Sequence, residues 1–285
     1  NQAPNLIDLK NQDSLKAIDV VFPVLHGPFG EDGTIQGLLK LAGLPFIGAG
    51  VLGSAIGMDK DVMKRLLRDA GIPVTKFLCV KNSEKQKYDY KTISKLIDTP
   101  FFVKPANLGS SVGIHKIHSE SEFETAVGDA FLFDTKLIFE QAISGREIEC
   151  SVLGNDNLLA SDPGEVVARH EFYDYDAKYI DDQGAMLKIP ADLPTEITRR
   201  IQELAIQTFQ TLCCSGMARV DFFLKANGDV LVNELNTIPG FTQISMYPKL
   251  WEVSGISYSE LIDKLIGLAL EKFESEQKLK TSYQS

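Results

Sequence analysis

The stretch RVDFFLKANGDVLVNELN, residues 219–236, constrains this chain more than any other. Asn227-Gly228 stands between two apolar-rich runs. That dipeptide is the strongest short-range hairpin signal, because a two-residue type I′ turn requires φ > 0 at both central positions. With those residues as the turn, Ala226 pairs with Asp229, Phe223 with Val232, Asp221 with Glu234, and Arg219 with Asn236. Side chains alternate between faces along a strand, so Arg219, Asp221, Phe223, Val232, Glu234 and Asn236 share one face. Directly opposite residues hold their Cβ atoms roughly 4.5–5.5 Å apart, and like charges so placed repel. A hard divalent cation between them relieves this and keeps coordination sites for water and phosphate. Asn236 adds a neutral oxygen and Arg219 a fixed positive donor. The competing reading is a solvated face on which acids happen to alternate. Phe223 and Val232 on the same side oppose it.

At 285 residues the chain can bury a sizeable core and form two or more domains. Hydrophobic residues make up 44% and mean hydropathy is −0.04, values of an ordinary globular protein. No apolar run reaches the length of a membrane span. The start, NQAPNLIDLKNQD, lacks the basic end and apolar core of a signal peptide. A net charge of −10 argues against nucleic acid as a partner. It leaves room for phosphate ligands, since a few lysines override the global sign locally. Cys79, Cys150, Cys213 and Cys214 have no metal-ligand spacing and read as free buried thiols in a reducing compartment. The histidines are too scattered for a zinc site.

The apolar run AIDVVFPVL, 17–25, predicts a buried strand, HGPFGEDG a glycine-rich loop, and 34–42 a helix ending at Gly43. LPFIGAG predicts another short strand and turn. This order suggests part of a parallel α/β unit. Asp59 or Asp61 can cap the next helix, whose stripe is Val62, Met63, Leu66, Leu67 and Ala70, ended by Gly71 and Pro73. Strands are expected over 72–80, 101–104, 112–117 and 137–141, with a helix over 121–131. A third unit starts near Ser144, with strands around 147–153 and a long irregular loop over 161–189. A helix over 195–213 and the hairpin follow, then helices over 259–274.

FFVKPANLGSSVGI, 101–114, combines a strand, Lys104, and a loop bearing Gly109, Ser110, Ser111 and Gly113. Small residues let backbone N–H groups and hydroxyls close over phosphate oxygens. Lys104 supplies a point charge at the root of the loop. The spacing is not that of a P-loop. Alone such a loop can be a plain β-turn, and its neighbours strengthen the phosphate reading.

Four separated stretches, VKPANLGSSVG, the RVDFF and NELNTIPGFT block, HGPFGEDGTIQG and EFYDYDAKY, together resemble the D-alanine–D-alanine ligase family of ATP-grasp enzymes. The resemblance runs through essentially the whole chain. It implies an α/β (α+β ATP-grasp) fold with a partial N-terminal parallel α/β unit over 1–56. Two ATP-grasp lobes follow, over 57–142 and 143–285. It implies that D-alanine is phosphorylated by ATP, with Mg²⁺ or Mn²⁺, and that the amine of a second D-alanine attacks the acyl phosphate. The product serves cell-wall peptidoglycan synthesis. A cytoplasmic homodimer with no membrane or nucleic-acid partner is implied. Position by position, Lys60 and Lys104 contact phosphates, and Ser110, Ser111 and Gly113 cover them. Glu140, Gln141 and Ile143 hold adenine, Glu147 the ribose, and Lys178 the γ-phosphate. Phe223 and Asn233 belong to the ATP site. Asp221, Glu234 and Asn236 bind metal. Arg219 and the Gly240 N–H form the oxyanion site. Ser110 and Tyr179 join the catalytic set. His26, Tyr173 and Tyr179 lie near the first substrate, and Ser245 and Met246 near the second substrate's carboxylate.

Each has a plainer competitor. His26 before Gly27 could only cap a turn. Tyr173, Tyr175 and Tyr179 could anchor a loop, the reading favoured for Tyr175. Lys178 could be a solvated charge, Glu147 an exposed strand residue, and Lys60 a helix-start decoration. Pro239-Gly240 is a turn in either case. Two departures from the family stand out. Gln141 occupies a position where many members carry lysine, and can still donate to an adenine nitrogen. Nothing before Ala17 reads as the family's opening strand with its acidic residue, so the first unit is expected to lack its front. Alternatives are a D-alanine–D-lactate ligase of the same fold and a non-catalytic nucleotide-binding fragment.

Overall fold

The computed structural model of the chain describes residues 5–7, 14–109, 112–168, 185–280 and 282. Its front holds an antiparallel pair, β1 (Asn5–Ile7) with β2 (Ser14–Ala17), where the sequence offers no strand signal. The buried strand expected over 17–25 is absent. Val21 makes one parallel bridge to Phe46, while Val24 and Leu25 are exposed. Pro23 lacks the amide hydrogen a ladder needs and interrupts the run. LPFIGAG contributes only that bridge. The expected parallel unit therefore reduces to one contact, and the strands of the three sheets pair antiparallel.

Helices α1 (Thr34–Leu41), α2 (Val51–Met58) and α3 (Lys60–Asp69) follow. Helix α1 stops before Gly43, which sits at φ +69. Helix α2 has no counterpart in the sequence reading. A Cβ on its Gly53 would lie 2.7 Å from the Cys213 carbonyl oxygen, so glycine lets the helix touch that turn. Asp59 caps α3, accepting from the N–H groups of Asp61 and Val62, each at 3.1 Å. Such a cap is worth about 1 kcal/mol. Met63 and Leu67, one turn apart on α3, are fully buried.

Strands β3 (Phe77–Lys81), β4 (Phe101–Pro105), β5 (His115–Ile117) and β6 (Lys136–Gln141) form a sheet ordered β3-β6-β4-β5. Helices α4 (Tyr90–Ile97) and α5 (Glu120–Ala130) pack Ile93, Ile97 and Phe123 against Phe101 and Phe139. Each such side chain contributes about 1.5–3 kcal/mol on burial. Strands β3 and β5 begin later than the sequence predicts. The chain before β3 reaches to another sheet instead: Val74 bridges Val232, whose N–H donates to Pro73 O at 2.8 Å.

That second sheet contains β7 (Arg146–Gly154), β8 (Leu159–Ala160), β9 (Gly164–Ala168), β10 (Ala185–Lys188), β11 (Gly216–Leu224) and β12 (Val230–Asn236). Its order is β10-β9-β7-β11-β12, with β8 on β7. The irregular loop expected over 161–189 thus contains two paired strands. Helix α6 (Thr195–Thr211) buries Ile201, Leu204, Ala205 and Phe209 against Ile148, Cys150, Val220 and Phe222. Helices α7 (Met246–Val253) and α8 (Tyr258–Gln277) bury Tyr247, Trp251, Leu261 and Leu265 with Leu153 and Met217. Of the free cysteines only Cys150 is buried; Cys213, expected inside, is exposed just beyond α6 at φ +55.

The hairpin corrects the sequence reading twice. The Lys225 N–H donates to Asp229 O at 2.9 Å, so the loop is three residues, 226–228, with Gly228 at φ +90. Pairing shifts by one, placing Phe222 opposite Val232 and Phe223 opposite Leu231. A bulge then leaves Asn233 outside the register, and Asp221–Glu234 and Arg219–Asn236 pair as expected. Val232 consequently turns into the core at 0% exposure, and Leu231 takes its expected place beside Phe223.

Candidate active site

Strands β7, β11 and β12 present their non-core faces side by side. Glu149 on β7 is opposite Asp221 on β11, which is opposite Glu234 on β12. Arg219 answers this negative charge. Its Nε lies 2.7 Å from Asp221 Oδ1 and 2.9 Å from Glu149 Oε2, and its Nη2 lies 2.8 Å from Asp221 Oδ2. Asn236 Nδ2 donates to Asp221 Oδ2 at 2.9 Å. Burial opposes the Arg219 charge, but Asp221 and Glu149 outweigh it and hold its pKa above the ordinary arginine value. The guanidinium is thereby fixed in direction. Glu149 is absent from the sequence-predicted set. Its alternation with Glu147 is visible in REIECS, but its place beside Asp221 depends on which strand flanks the hairpin.

Lysines approach from α3 and β4. Lys104 Nζ lies 2.7 Å from Glu140 Oε2, and Lys64 Nζ lies 2.6 Å from Glu140 Oε1. Thr75 Oγ1 donates to the same carboxylate. Lys64 also donates to Asn233 O at 2.8 Å and to Thr75 Oγ1 at 3.3 Å. Burial alone would raise the Glu140 pKa, yet Lys104 and Lys64 outweigh it and hold the carboxyl well below the usual range. For Lys64 burial wins and lowers the pKa; for Lys104 burial is overcome by Glu140 and the pKa rises. Lys60 Nζ donates to Leu108 O at 2.6 Å and lies 3.6 Å from Glu234 Oε2. It therefore ties the start of the Gly-Ser loop to the carboxylate face.

The remaining sequence-predicted residues fall into distinct places. Glu147 and Phe223 are opposite one another on β7 and β11. Gln141 Nε2 donates to Asp98 Oδ2 at 3.1 Å. Ile143 is half-buried beyond β6. Gly113, at φ +67, leaves no room for a Cβ, which would lie 2.7 Å from Phe133 Cδ2. Gly240 lies against Ser245, whose Oγ accepts from the Thr242 N–H at 3.0 Å. The Met246 side chain is buried with Val166 and Leu250, which leaves the backbone at the start of α7 for any ligand contact. His26 is exposed, and Glu31 beside it accepts from the Gly27 N–H at 2.6 Å. Burial raises the Glu31 pKa. Asp32 accepts from the Phe29 N–H at 2.8 Å and from the Thr34 N–H at 2.9 Å, in the turn before α1. Ser110, Ser111, Tyr173, Tyr175, Lys178 and Tyr179 lie outside the described residues. Among the described residues, no group of three or more His, Cys, Asp or Glu side chains converges as a ready metal cage.

The sequence model described as D-ala D-ala ligase C-terminus matches residues 66–267, and that described as D-ala D-ala ligase N-terminus matches residues 1–49. A D-alanine–D-alanine ligase of Shouchella clausii is 54% identical over 277 residues, which is 97% of this chain and 75% of that protein. The chain belongs to the D-alanine–D-alanine ligase family. As a member of that family it is an ATP-dependent ligase, and its mixed helices and antiparallel sheets are the α+β architecture of ATP-grasp proteins. The VanG D-Ala:D-Ser ligase from Enterococcus faecalis is similar in structure, with TM-score 0.83 and 42% identity, covering 90% of this chain and 74% of that one. The D-alanine–D-alanine ligase from Bacillus anthracis, solved in complex with ATP, has TM-score 0.78 and 30% identity, covering 91% of this chain and 81% of that one. Among the described residues of this D-alanine–D-alanine ligase family member, no helix is long and apolar enough to cross a membrane.

Proposed function

We propose that the chain joins two D-alanine molecules at the cost of one ATP, through a D-alanyl phosphate. The observation that carries this is the carboxylate pair Asp221 and Glu234 beside a fixed Arg219, with Lys60 and Lys104 facing it. A carboxylate oxygen of the first D-alanine attacks the γ-phosphorus, the bond to the β-phosphate oxygen breaks, and ADP leaves. The deprotonated amine of the second D-alanine attacks the acyl carbon. The tetrahedral intermediate then expels inorganic phosphate. Lys104, held by Glu140, and Lys60 bind phosphate oxygens, while the Gly113 loop with Ser110 and Ser111 covers them. Arg219 and the Gly240 N–H stabilise the developing oxyanion. Glu147, Phe223, Ile143 and the backbone of 140–141 hold the nucleoside. Lys178, Tyr173 and Tyr179 act from the segment before β10, and His26 and Ser245 flank the two substrates.

Asp221, Glu234 and Asn236 offer two carboxylates and one amide oxygen, a donor set that fits Mg²⁺ or Mn²⁺. Asp221 is engaged by Arg219 and Asn236, and its carboxylate keeps acceptor capacity for a cation. A bound divalent cation would supply charge to the phosphates during transfer. The units 1–56, 57–142 and 143–285, a homodimer and a cytoplasmic setting belong to the same reading.

The deciding experiment adds D-alanine to the chain with ATP and Mg²⁺ and follows ADP release, with L-alanine as control. ATP binding without D-alanine-dependent ADP release would instead make the chain a non-catalytic nucleotide binder. The likeness to a D-Ala:D-Ser ligase supports including D-serine and D-lactate as second substrates.

A further inference from the structure

Lys60 and Lys64 are four residues apart on α3 and so share one helix face. Each reaches β12, and they meet consecutive residues there. Lys60 Nζ lies 3.6 Å from Glu234 Oε2, and Lys64 Nζ lies 2.8 Å from Asn233 O. Asn233 is the residue the bulge leaves outside the strand register. Removing Asn233 altogether would still leave Glu234 opposite Asp221, because the bulge absorbs that one residue. Without Asn233, β12 would alternate regularly, with Val230, Val232 and Leu235 in the core and Leu231, Glu234 and Asn236 on the other face. What the extra residue adds is a main-chain carbonyl turned toward Lys64. The Lys64 side chain is 1% exposed, and its ammonium has three acceptors: Glu140, Asn233 O and Thr75 Oγ1. Through Glu140 the same ammonium sets the partner of Lys104.

We propose that Lys64 is a positioning residue for both the phosphate end and the metal end of the site. It fixes Lys104 through Glu140, and it fixes the backbone beside Glu234 through the Asn233 carbonyl. This rests on the reading of Lys104 and Glu234 given under Proposed function. One buried cation thus sets the distance between the group that holds the phosphates and a carboxylate that holds their counter-ion.

The test uses the full 285-residue chain. Lys64→Met keeps the volume and removes the charge and its three hydrogen bonds. ADP release is measured while ATP, Mg²⁺ and D-alanine are each varied, and ATP binding is measured by calorimetry at several Mg²⁺ concentrations. The expected result is a rise of about 10–100-fold in KM for ATP and in half-saturating Mg²⁺, the range seen when a residue supporting a ligand is lost. KM for D-alanine should stay unchanged. A merely structural role lowers the active fraction and so kcat, with all three constants as in the parent; that outcome overturns the proposal. If Lys64→Met does not fold, deletion of Asn233 decides. It leaves Glu140 with both lysines and should raise half-saturating Mg²⁺ more than KM for ATP, whereas parental Mg²⁺ dependence in the folded deletion variant overturns the proposal. Absence of D-alanine-dependent turnover in the parent refutes the proposed function instead, and the calorimetric comparison still decides the role of Lys64.

Discussion

Arg219 and Asp221, two residues apart on one face of β11, form a two-pronged ion pair at 2.7 and 2.8 Å. Asp221 is therefore tied into the structure more firmly than its cross-strand neighbour Glu234, whose side chain is 28% exposed with Lys60 Nζ at 3.6 Å. Asp221→Asn should lose about 1.5–3 kcal/mol of stability, the worth of hydrogen bonds to a charged group. Glu234→Gln should lose less than about 1 kcal/mol. Both should abolish nearly all turnover. Denaturant melts beside ADP-release assays check this, and equal stability losses would show that the Arg219 grip does not set Asp221 apart.

The second expectation concerns acid stability. The Glu140 carboxyl is held below its ordinary 4.5 against burial, by Lys104 and Lys64. Its contribution is complete above that pH. It falls as acid is added, because the unfolded chain takes up a proton there that the folded chain does not. One such proton gives a slope of about 1.4 kcal/mol per pH unit. Glu140→Gln should be about 3–5 kcal/mol less stable at neutral pH, having left two lysines without their buried partner. Its stability should also fall less steeply between about pH 4.5 and 3. Urea melts across that range would expose an unchanged slope, which would mean that Glu140 is not the group responsible.

A methyl group at Gly240 would meet the Ser245 hydroxyl. A Cβ there would sit 2.9 Å from Ser245 Oγ and 3.5 Å from Ser245 Cβ. Gly240→Ala should cost about 1–3 kcal/mol through overpacking and lower kcat. Adding Ser245→Ala removes the clashing oxygen and should restore stability. A double variant as unstable as the single one would place the strain elsewhere.

Lys60 ties the Leu108 carbonyl at 2.6 Å. Lys60→Met should free the backbone over 107–109 in the absence of nucleotide. Loss of a charge-assisted bond worth about 1.5 kcal/mol corresponds to roughly tenfold faster local opening. Hydrogen exchange at those amides reads this directly, and parental protection would mean that the loop is held by other contacts.

The legible and illegible parts of this chain differ for physical reasons. The Asp221–Glu234 pairing could be read although the turn was misjudged, because a three-residue loop shifts the ladder by one and the bulge at Asn233 shifts it back. Val232 lies between those two shifts, so it alone of the expected face turned inward. Helix α2 contains Gly53 and Gly57, and glycine is a poor helix former, so the local pattern does not reveal it. Their Cβ positions lie 2.7 Å from Cys213 O and 3.1 Å from Thr237 Cγ2, contacts that no local pattern announces. Lys64 looks in sequence like a surface residue of an amphipathic helix. Its burial follows from Val74 and Thr75 crossing to β12, a tertiary event. Glu149 is invisible for the same reason, since it gains meaning only once β7 lies beside β11.

Lys104 and Lys60 already have carboxylates, Glu140 at 2.7 Å and Glu234 at 3.6 Å. A polyanion entering between them meets lysines whose charge is already shared with a carboxylate; it does not neutralise bare positive charge. Added salt weakens the resident pairs and the incoming ones together. The affinity for ATP should accordingly fall less steeply with ionic strength than two uncommitted lysines would dictate.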